Sequence, residues 1–169
     1  MSSITSGGLL RKEQGPHKVV DLNRLVQEVV RIMRPELLLH QVRLILKLDS
    51  AITEVCGDGI ELQQVLINLI MNGIEAVNAA PIPDRQLSVA TIVSEGEVEL
   101  TVEDAGVGVA PAELKNIFEP FFSTKVGGMG MGLAICAEIA RAHHARLWAE
   151  NNTERGITMH FCLPGSQPV

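Results

Sequence analysis

Tyrosine is absent from the 169 residues, and aromatic residues make up only 3% of the chain, so the core is expected to be aliphatic. No apolar run reaches membrane-spanning length and no signal peptide is visible, which argues against a membrane segment and for a cytoplasmic setting. If the parent protein is a membrane receptor, that part is missing from this sequence. Basic clusters and aromatic ladders are lacking as well, and the net charge is −6, so no nucleic-acid partner is expected. Cysteine is sparse. Cys56, Cys136 and Cys162 stand far apart without metal or redox spacing and read as buried cytosolic thiols. The length fits one domain of ordinary size.

What is present is one dominant stretch, Glu61 to Ala76. Leu62, Val65, Leu66, Leu69, Ile70, Gly73 and Ala76 recur at helical spacing and form a broad apolar face. Glu61, Gln64, Asn68, Asn72 and Glu75 line up along the other side. Carboxamides are mediocre helix formers, and a merely solvated face would more naturally carry Lys, Arg and Glu. Two amides one turn apart offer neutral oxygens and N–H donors together, which suits a hydrated magnesium ion carrying phosphates. An amphipathic helix with an exposed polar stripe explains the row better until other motifs are considered.

Along the chain, residues 1–18 are Ser/Gly-rich and then charged, and read as a disordered tail before a domain over 19–165. Asp21 is an N-cap candidate for a helix with Leu22, Leu25, Val26, Val29, Val30 and Met33 at helical spacing, which Pro35 can kink or restart. Val42 to Leu48 alternates as a half-buried strand, Glu54 to Gly57 is a short second one, and Asp58 caps the central helix. That helix ends before Pro81. Leu87–Ser94 and Val98–Glu103, joined by Glu95-Gly96, form a hairpin. A short helix over Pro111–Phe118, a mobile loop over Pro120–Gly130, a buried helix over Met131–His143 and a final hairpin (Arg146–Asn151, Gly156–Leu163) follow. This order predicts an α+β two-layer sandwich, a mostly antiparallel sheet covered on one face by helices, and not a doubly wound nucleotide fold.

Four further blocks give the central helix a context. Val102-Glu-Asp-Ala-Gly-Val-Gly-Val109 closes a strand with an acid and two glycines. Phe118-Glu-Pro-Phe-Phe-Ser-Thr-Lys125 is followed by Gly127-Gly-Met-Gly-Met-Gly-Leu133, and Gly156-Ile-Thr-Met-His-Phe161 lies near the end. Taken with the central helix, and in this order, they resemble the asparagine, first glycine, phenylalanine and second glycine boxes of bacterial sensor histidine kinases. The likeness is to their catalytic, ATP-binding domain (the Bergerat fold), shared with gyrase, mismatch-repair ATPases and heat-shock chaperones. It covers residues 20–164.

The resemblance implies Mg2+ and ATP as cofactors and assigns roles to particular residues. A carboxylate at Asp104 can accept from the exocyclic amine of adenine and would face the keto oxygen of guanine acceptor to acceptor. Gly106 and Gly108 would let the backbone approach the base, and Thr158 matches an accessory threonine near adenine. Gly128, Gly130 and Gly132 with Leu133 open a helix whose N–H groups can cradle phosphates. The spacing is not Gly-x-Gly-x-x-Gly and no Gly-Lys-Ser/Thr exists, so dinucleotide and phosphate-loop folds are excluded. Asn72 matches the magnesium-binding asparagine, with Asn68 supporting the phosphates one turn earlier. ATP-hydrolysing branches carry a glutamate at the position of Asn68. An amide cannot act as general base, which favours phosphoryl transfer to a protein over hydrolysis. Lys125 is the candidate cationic phosphate contact, with a solvated lysine as the competing view. Glu61 and Glu75 stay ambiguous. Phe118, Phe121 and Phe122 either hinge the lid and dock the partner domain or simply pack the core. The short lid, Phe122 to Gly128, is similar to that of soluble nitrogen- and oxygen-responsive kinases.

Two departures stand out. A phosphoacceptor histidine followed by an acid is absent: His17 precedes Lys, His40 precedes Gln, and His143, His144 and His160 lie in the last helix and strand. The chain is therefore expected to need a separate dimerisation and phosphoacceptor helical domain, and then a response regulator. No regulator domain is expected after Pro164. Second, His143-His-Ala145 stands where the family places His-Gly-Gly, so His144 is expected to take a strained positive φ. The adjacent histidines do not make a metal pair, because neighbouring helical residues diverge. The expected function is a sensor-kinase catalytic domain. The alternatives are a degenerate nucleotide-binding or interaction module, an anti-sigma-type serine kinase, and a superfamily ATPase.

Overall fold

The structure is a computed structural model, and it describes residues 17–51, 53–78, 80–120, 122 and 131–166. Its elements are β1 (Lys18–Asp21), α1 (Leu22–Leu39), β2 (Arg43–Lys47), β3 (Glu54–Gly57), α2 (Gly59–Asn78), β4 (Gln86–Ser94), β5 (Glu97–Asp104), α3 (Gly132–Ala142), β6 (Arg146–Asn151) and β7 (Ile157–Pro164). The main sheet runs β2-β4-β5-β7-β6. β2 joins β4 in parallel, and the other pairings are antiparallel. β1 and β3 form a small antiparallel pair of their own. This is the expected α+β sandwich.

Period-two alternation decides what each strand buries. Along β5, Val98, Leu100 and Val102 face the helices, while Glu99, Thr101 and Glu103 face away; Asp104 falls on the buried side of the same alternation. Along β7, Ile157, Met159, Phe161 and Leu163 face in, and Thr158 and His160 face out. The helices close over the inward face in one contiguous core, with Leu22, Val26, Leu66, Ile70 and Leu100 all 1% exposed or less. Phe161 is the single aromatic residue in that core among the described residues, so it is aliphatic as expected. On the uncovered face the Trp148 and His160 rings stack at 4.6 Å, and His160 reaches Glu99 at 2.6 Å and Glu150 at 2.9 Å. None of the described helices is long and apolar enough to cross a membrane.

Several local expectations hold. Asp21 caps α1 by accepting from the N–H of Arg24, and Asp58 caps α2 by accepting from Ile60 at 2.9 Å and Glu61 at 3.3 Å. Others are corrected. Pro35 neither stops nor restarts α1, which runs unbroken to Leu39. Pro35 and the residue four before it are both exposed, so the carbonyl left without a donor is open to solvent. Lys18, expected at the end of the tail, opens β1; residues 1–16 lie outside the described residues. The helix expected over Pro111–Phe118 is a short 3-10 turn at Pro111–Glu113 followed by further turns. Its bonds are i to i+3, as in Glu113 to Ala110 and Asn116 to Glu113, both 2.8 Å. Cys56 is exposed, because alternation along β3 turns Val55 and Gly57 inward and the thiol out; Cys136 and Cys162 are buried.

Candidate functional site

The polar stripe of α2 is half-buried at Asn68 and Asn72, with Gln64 and Glu75 exposed. Asn68 is fixed at both ends of its amide. Its Nδ2 donates to the Gly132 carbonyl at 3.1 Å, and its Oδ1 accepts from Gln64 at 2.8 Å. That first bond joins the middle of α2 to the start of α3. Leu133 packs on the core, and α3 begins with neither a side-chain cap nor an acidic residue in its first turn. The positive end of the helix is thus left to interact with whatever lies before it.

Two turns further along α2, Ala76 meets the loop after β5. A Cβ at Gly106 would lie 2.6 Å from the Ala76 carbonyl oxygen, so only glycine allows this approach. The glycine expected to admit a base thus has an internal reason as well. Gly108 has φ +77°, a left-handed conformation that favours glycine, and a Cβ there would stand 2.8 Å from Asn151 Oδ1. Between these contacts sits Asp104, 4% exposed. Its Oδ1 accepts from the N–H groups of Gly106 at 2.9 Å and Ile157 at 3.2 Å, which fixes the carboxylate plane.

Asn68, Asn72 and Ala76 stand four residues apart on one face of α2. Ala76, expected on the apolar face, instead continues the polar stripe, which links the start of α3 to the Asp104 end. At 1.5 Å per residue the two contacts are about 12 Å apart along the axis, the order of length of a nucleoside triphosphate. Thr158 is not brought to this site. Alternation along β7 puts it on the uncovered face, opposite Glu103 and Glu150, with its hydroxyl donating to Asn152 Oδ1 at 2.5 Å. Ile157, one residue earlier, takes the place beside Asp104. Lys125, Gly128 and Gly130 lie outside the described residues, as does Phe121. Sequence reasoning also passed over Asn151 and Asn152, which bond to the backbone of the Asp104 loop. Their only signal was a pair of asparagines closing a strand before a turn.

Beside the start of α3 a groove of about 350 Å³ runs between Phe118, Pro120, Met131, Ile135 and Arg141. Phe118 is half-buried and packs against the core, so it serves both the core and the groove wall. Behind Asn68, burial pushes the Cys136 thiol up to about 12.

A helix-covered mixed sheet with an amide-lined helix beside an aspartate at one strand end is an α+β two-layer domain. Residues 57–167 match the profile of the histidine kinase-, DNA gyrase B-, and HSP90-like ATPase family, and the chain belongs to that family. It is 36% identical to the sensor protein FixL of Bradyrhizobium diazoefficiens over 88% of this chain and 29% of FixL. With the C4-dicarboxylate transport sensor protein DctS of Rhodobacter capsulatus the identity is 38%, over 88% of this chain and 22% of DctS. The sensor histidine kinase TmoS of Ectopseudomonas mendocina is 34% identical over 92% of this chain and 16% of TmoS. The chain thus spans less than a third of each of these relatives. Among solved structures, the catalytic domain of histidine kinase ThkA superposes with a TM-score of 0.77 at 29% identity, covering 88% of this chain and 95% of that one. ThkA has also been solved in complex with the response regulator TrrA, with a TM-score of 0.76 at 26% identity over 89% of this chain and 42% of that one.

Proposed function

We propose that this chain is the Mg–ATP-binding catalytic domain of a cytoplasmic part of a sensor histidine kinase. It delivers the γ-phosphoryl group to a histidine on a separate helical dimerisation domain, and a response-regulator aspartate receives it next. The observation that supports this most is the reach of α2, which touches the start of α3 through the Asn68 amide and the Asp104 loop through the Ala76 backbone. Adenine would sit at the Asp104 end, with Gly106 and Gly108 shaping the loop. The triphosphate would run along Asn72 and Asn68 toward Gly132 and Leu133, with Gly128, Gly130 and Lys125 entering from the sequence.

Magnesium fits the donor set. Among the described residues no group of three acidic, histidine or cysteine side chains could hold a metal. A hydrated ion held mainly by phosphate and water oxygens, with the neutral Asn72 amide oxygen as the protein ligand, matches the chemistry of magnesium. When bound it would neutralise charge on the transferring phosphoryl group. The chain's own residues position: Asn68 holds the α3 end against α2, and no side chain on the stripe at that point can activate water. In the transfer the bond from the γ-phosphorus to its bridging oxygen breaks, a phosphorus–nitrogen bond forms on the acceptor, and ADP leaves. The groove beside Phe118 and Ile135 suits the helical partner.

Calorimetric titration with ATP, a non-hydrolysable analogue and GTP, with and without magnesium, tests the reading. Micromolar-to-millimolar, magnesium-sensitive binding of ATP that GTP does not reproduce is expected. A chain that binds no nucleotide overturns it.

A further inference from the structure

We infer that Asn151 and Asn152 are positioning residues of the nucleotide site: together they clasp the glycine-bearing loop that follows Asp104. The inference rests on the reading of Asp104 as the adenine acceptor. Asn151, the last residue of β6, bonds Val109 at both its backbone groups. Its Oδ1 accepts from the Val109 N–H at 3.1 Å, and its Nδ2 donates to the Val109 carbonyl at 2.6 Å. Asn152 donates from Nδ2 to the Asp104 carbonyl at 3.0 Å and to the Arg155 carbonyl at 3.2 Å. Its Oδ1 accepts the Thr158 hydroxyl, and its own N–H donates to Gly156 at 2.9 Å. One asparagine thus holds the far end of the loop, and the next holds its root.

Apolar packing cannot do this work alone. Val107, at the middle of the loop, is 79% exposed, and the glycines on either side give the backbone wide freedom. Val109 packs partly against the core, and the hydrogen bonds from Asn151 and Asn152 fix the loop's backbone, with both asparagines using all of their amide atoms. The turn that carries them is itself anchored, because Arg155 pairs with Asp84 at 3.0 Å beyond the end of α2. Holding the loop in place before a ligand arrives lowers the ordering entropy that binding must overcome. Gly106 N–H, one of the two donors that fix Asp104 Oδ1, lies inside the clasped segment.

Asn151→Asp and Asn152→Asp test this with one atom changed each. The new oxygen faces a carbonyl oxygen, so a donated bond becomes a repulsion without a change of size. Either variant is expected to weaken ATP, ADP and adenosine by a common factor of roughly ten, with the magnesium dependence of ATP binding unchanged. Amide exchange at Val109 and Gly106 should speed up while exchange in α2 does not. Gly108→Ala breaks the same clasp from the loop side and replaces either variant should one fail to fold. Wild-type affinity for all three ligands in the folded variants overturns the inference and leaves the nucleotide site standing. A wild-type chain that binds no adenosine or ATP overturns the underlying site reading instead.

Discussion

The backbone N–H of Asp58 donates to Nε2 of His143 at 3.0 Å, joining the start of α2 to the end of α3. The other ring nitrogen lies 2.9 Å from the Ile139 carbonyl, so Nδ1 carries the proton and Nε2 is the acceptor. Space is matched to the ring, because a Cβ at Gly57 would come within 2.7 Å of it. Asp58 in turn caps α2 through its carboxylate, and α2 carries the amide stripe. A buried histidine therefore sets where the amide helix begins relative to the helix that opens at Gly132.

Replacing it with an apolar residue of similar bulk isolates the hydrogen bonds. His143→Leu leaves the buried Asp58 N–H without an acceptor, while the Ile139 carbonyl keeps its bond from the backbone N–H of residue 143, so the loss should be about 1–3 kcal/mol. Urea unfolding measures it directly. A loss under about 0.5 kcal/mol would mean that the seam does not depend on the Asp58 bond.

His144, the next residue, has φ +54° at the end of α3, where its neighbour Ala145 donates back to Ala140 at 2.9 Å. This left-handed helix ending ordinarily takes glycine. His144→Gly should raise stability by about 0.5–1 kcal/mol, since relief of the strained φ outweighs the added freedom of the unfolded chain. Thermal melting reading an unchanged or lower midpoint would show that the imidazole makes a compensating contact.

The strain at His144 was legible in the sequence because a helix-ending position with no glycine must adopt the same backbone with a side chain attached. The sheet, the amide stripe and the Asp58 cap were legible for similar reasons, being written in periods of two and 3.6 and in local capping chemistry. Thr158 was misplaced because motif likeness carries no face, and a shift of one residue on a strand reverses the side. Ile157 has the backbone position beside Asp104; Thr158 has the hydroxyl. The Pro111 segment failed because its apolar spacing suits a helix while its bonds close at i to i+3. Asn151 and Asn152 were illegible because their partners lie on another strand's loop, 42 and 48 residues away.

Asp104→Asn keeps an oxygen for the Gly106 and Ile157 donors while turning the other carboxylate atom into an N–H donor. That geometry exchanges an acceptor suited to the adenine amine for a donor suited to the guanine keto group. ATP affinity should fall by roughly 10- to 100-fold and GTP should bind comparably. Parallel titrations with both nucleotides decide it: unchanged affinity for each would remove Asp104 from the base site.

Asn72→Asp puts a negative charge in the middle of the α2 stripe. A carboxylate holds magnesium more firmly than an amide but repels phosphate without the ion, so ATP binding should become more dependent on magnesium. A ratio of affinities with and without magnesium that changes by roughly tenfold is the expected result. The same ratio in a variant with a native circular dichroism spectrum would separate Asn72 from the metal.

Cys136 supplies the clearest dependence on pH. Burial raises its thiol from 9.0 to about 12, while the Asn68 side chain acts in the opposite sense. The folded value stands above the unfolded one, so this thiol's contribution is complete below about pH 9. It is lost as pH climbs from there toward 12, and alkaline conditions weaken the fold. At pH 8 the buried group also holds about a thousandfold less thiolate than an unshifted thiol would. Ellman's reagent should therefore modify the exposed Cys56 promptly and reach Cys136 only when the chain opens. Adding moderate urea should raise the Cys136 rate in step with the unfolded fraction. Rapid modification of Cys136 in the native protein at pH 8 would show that the α2–α3 seam opens readily, and Asn68 would then be a poor anchor for the start of α3.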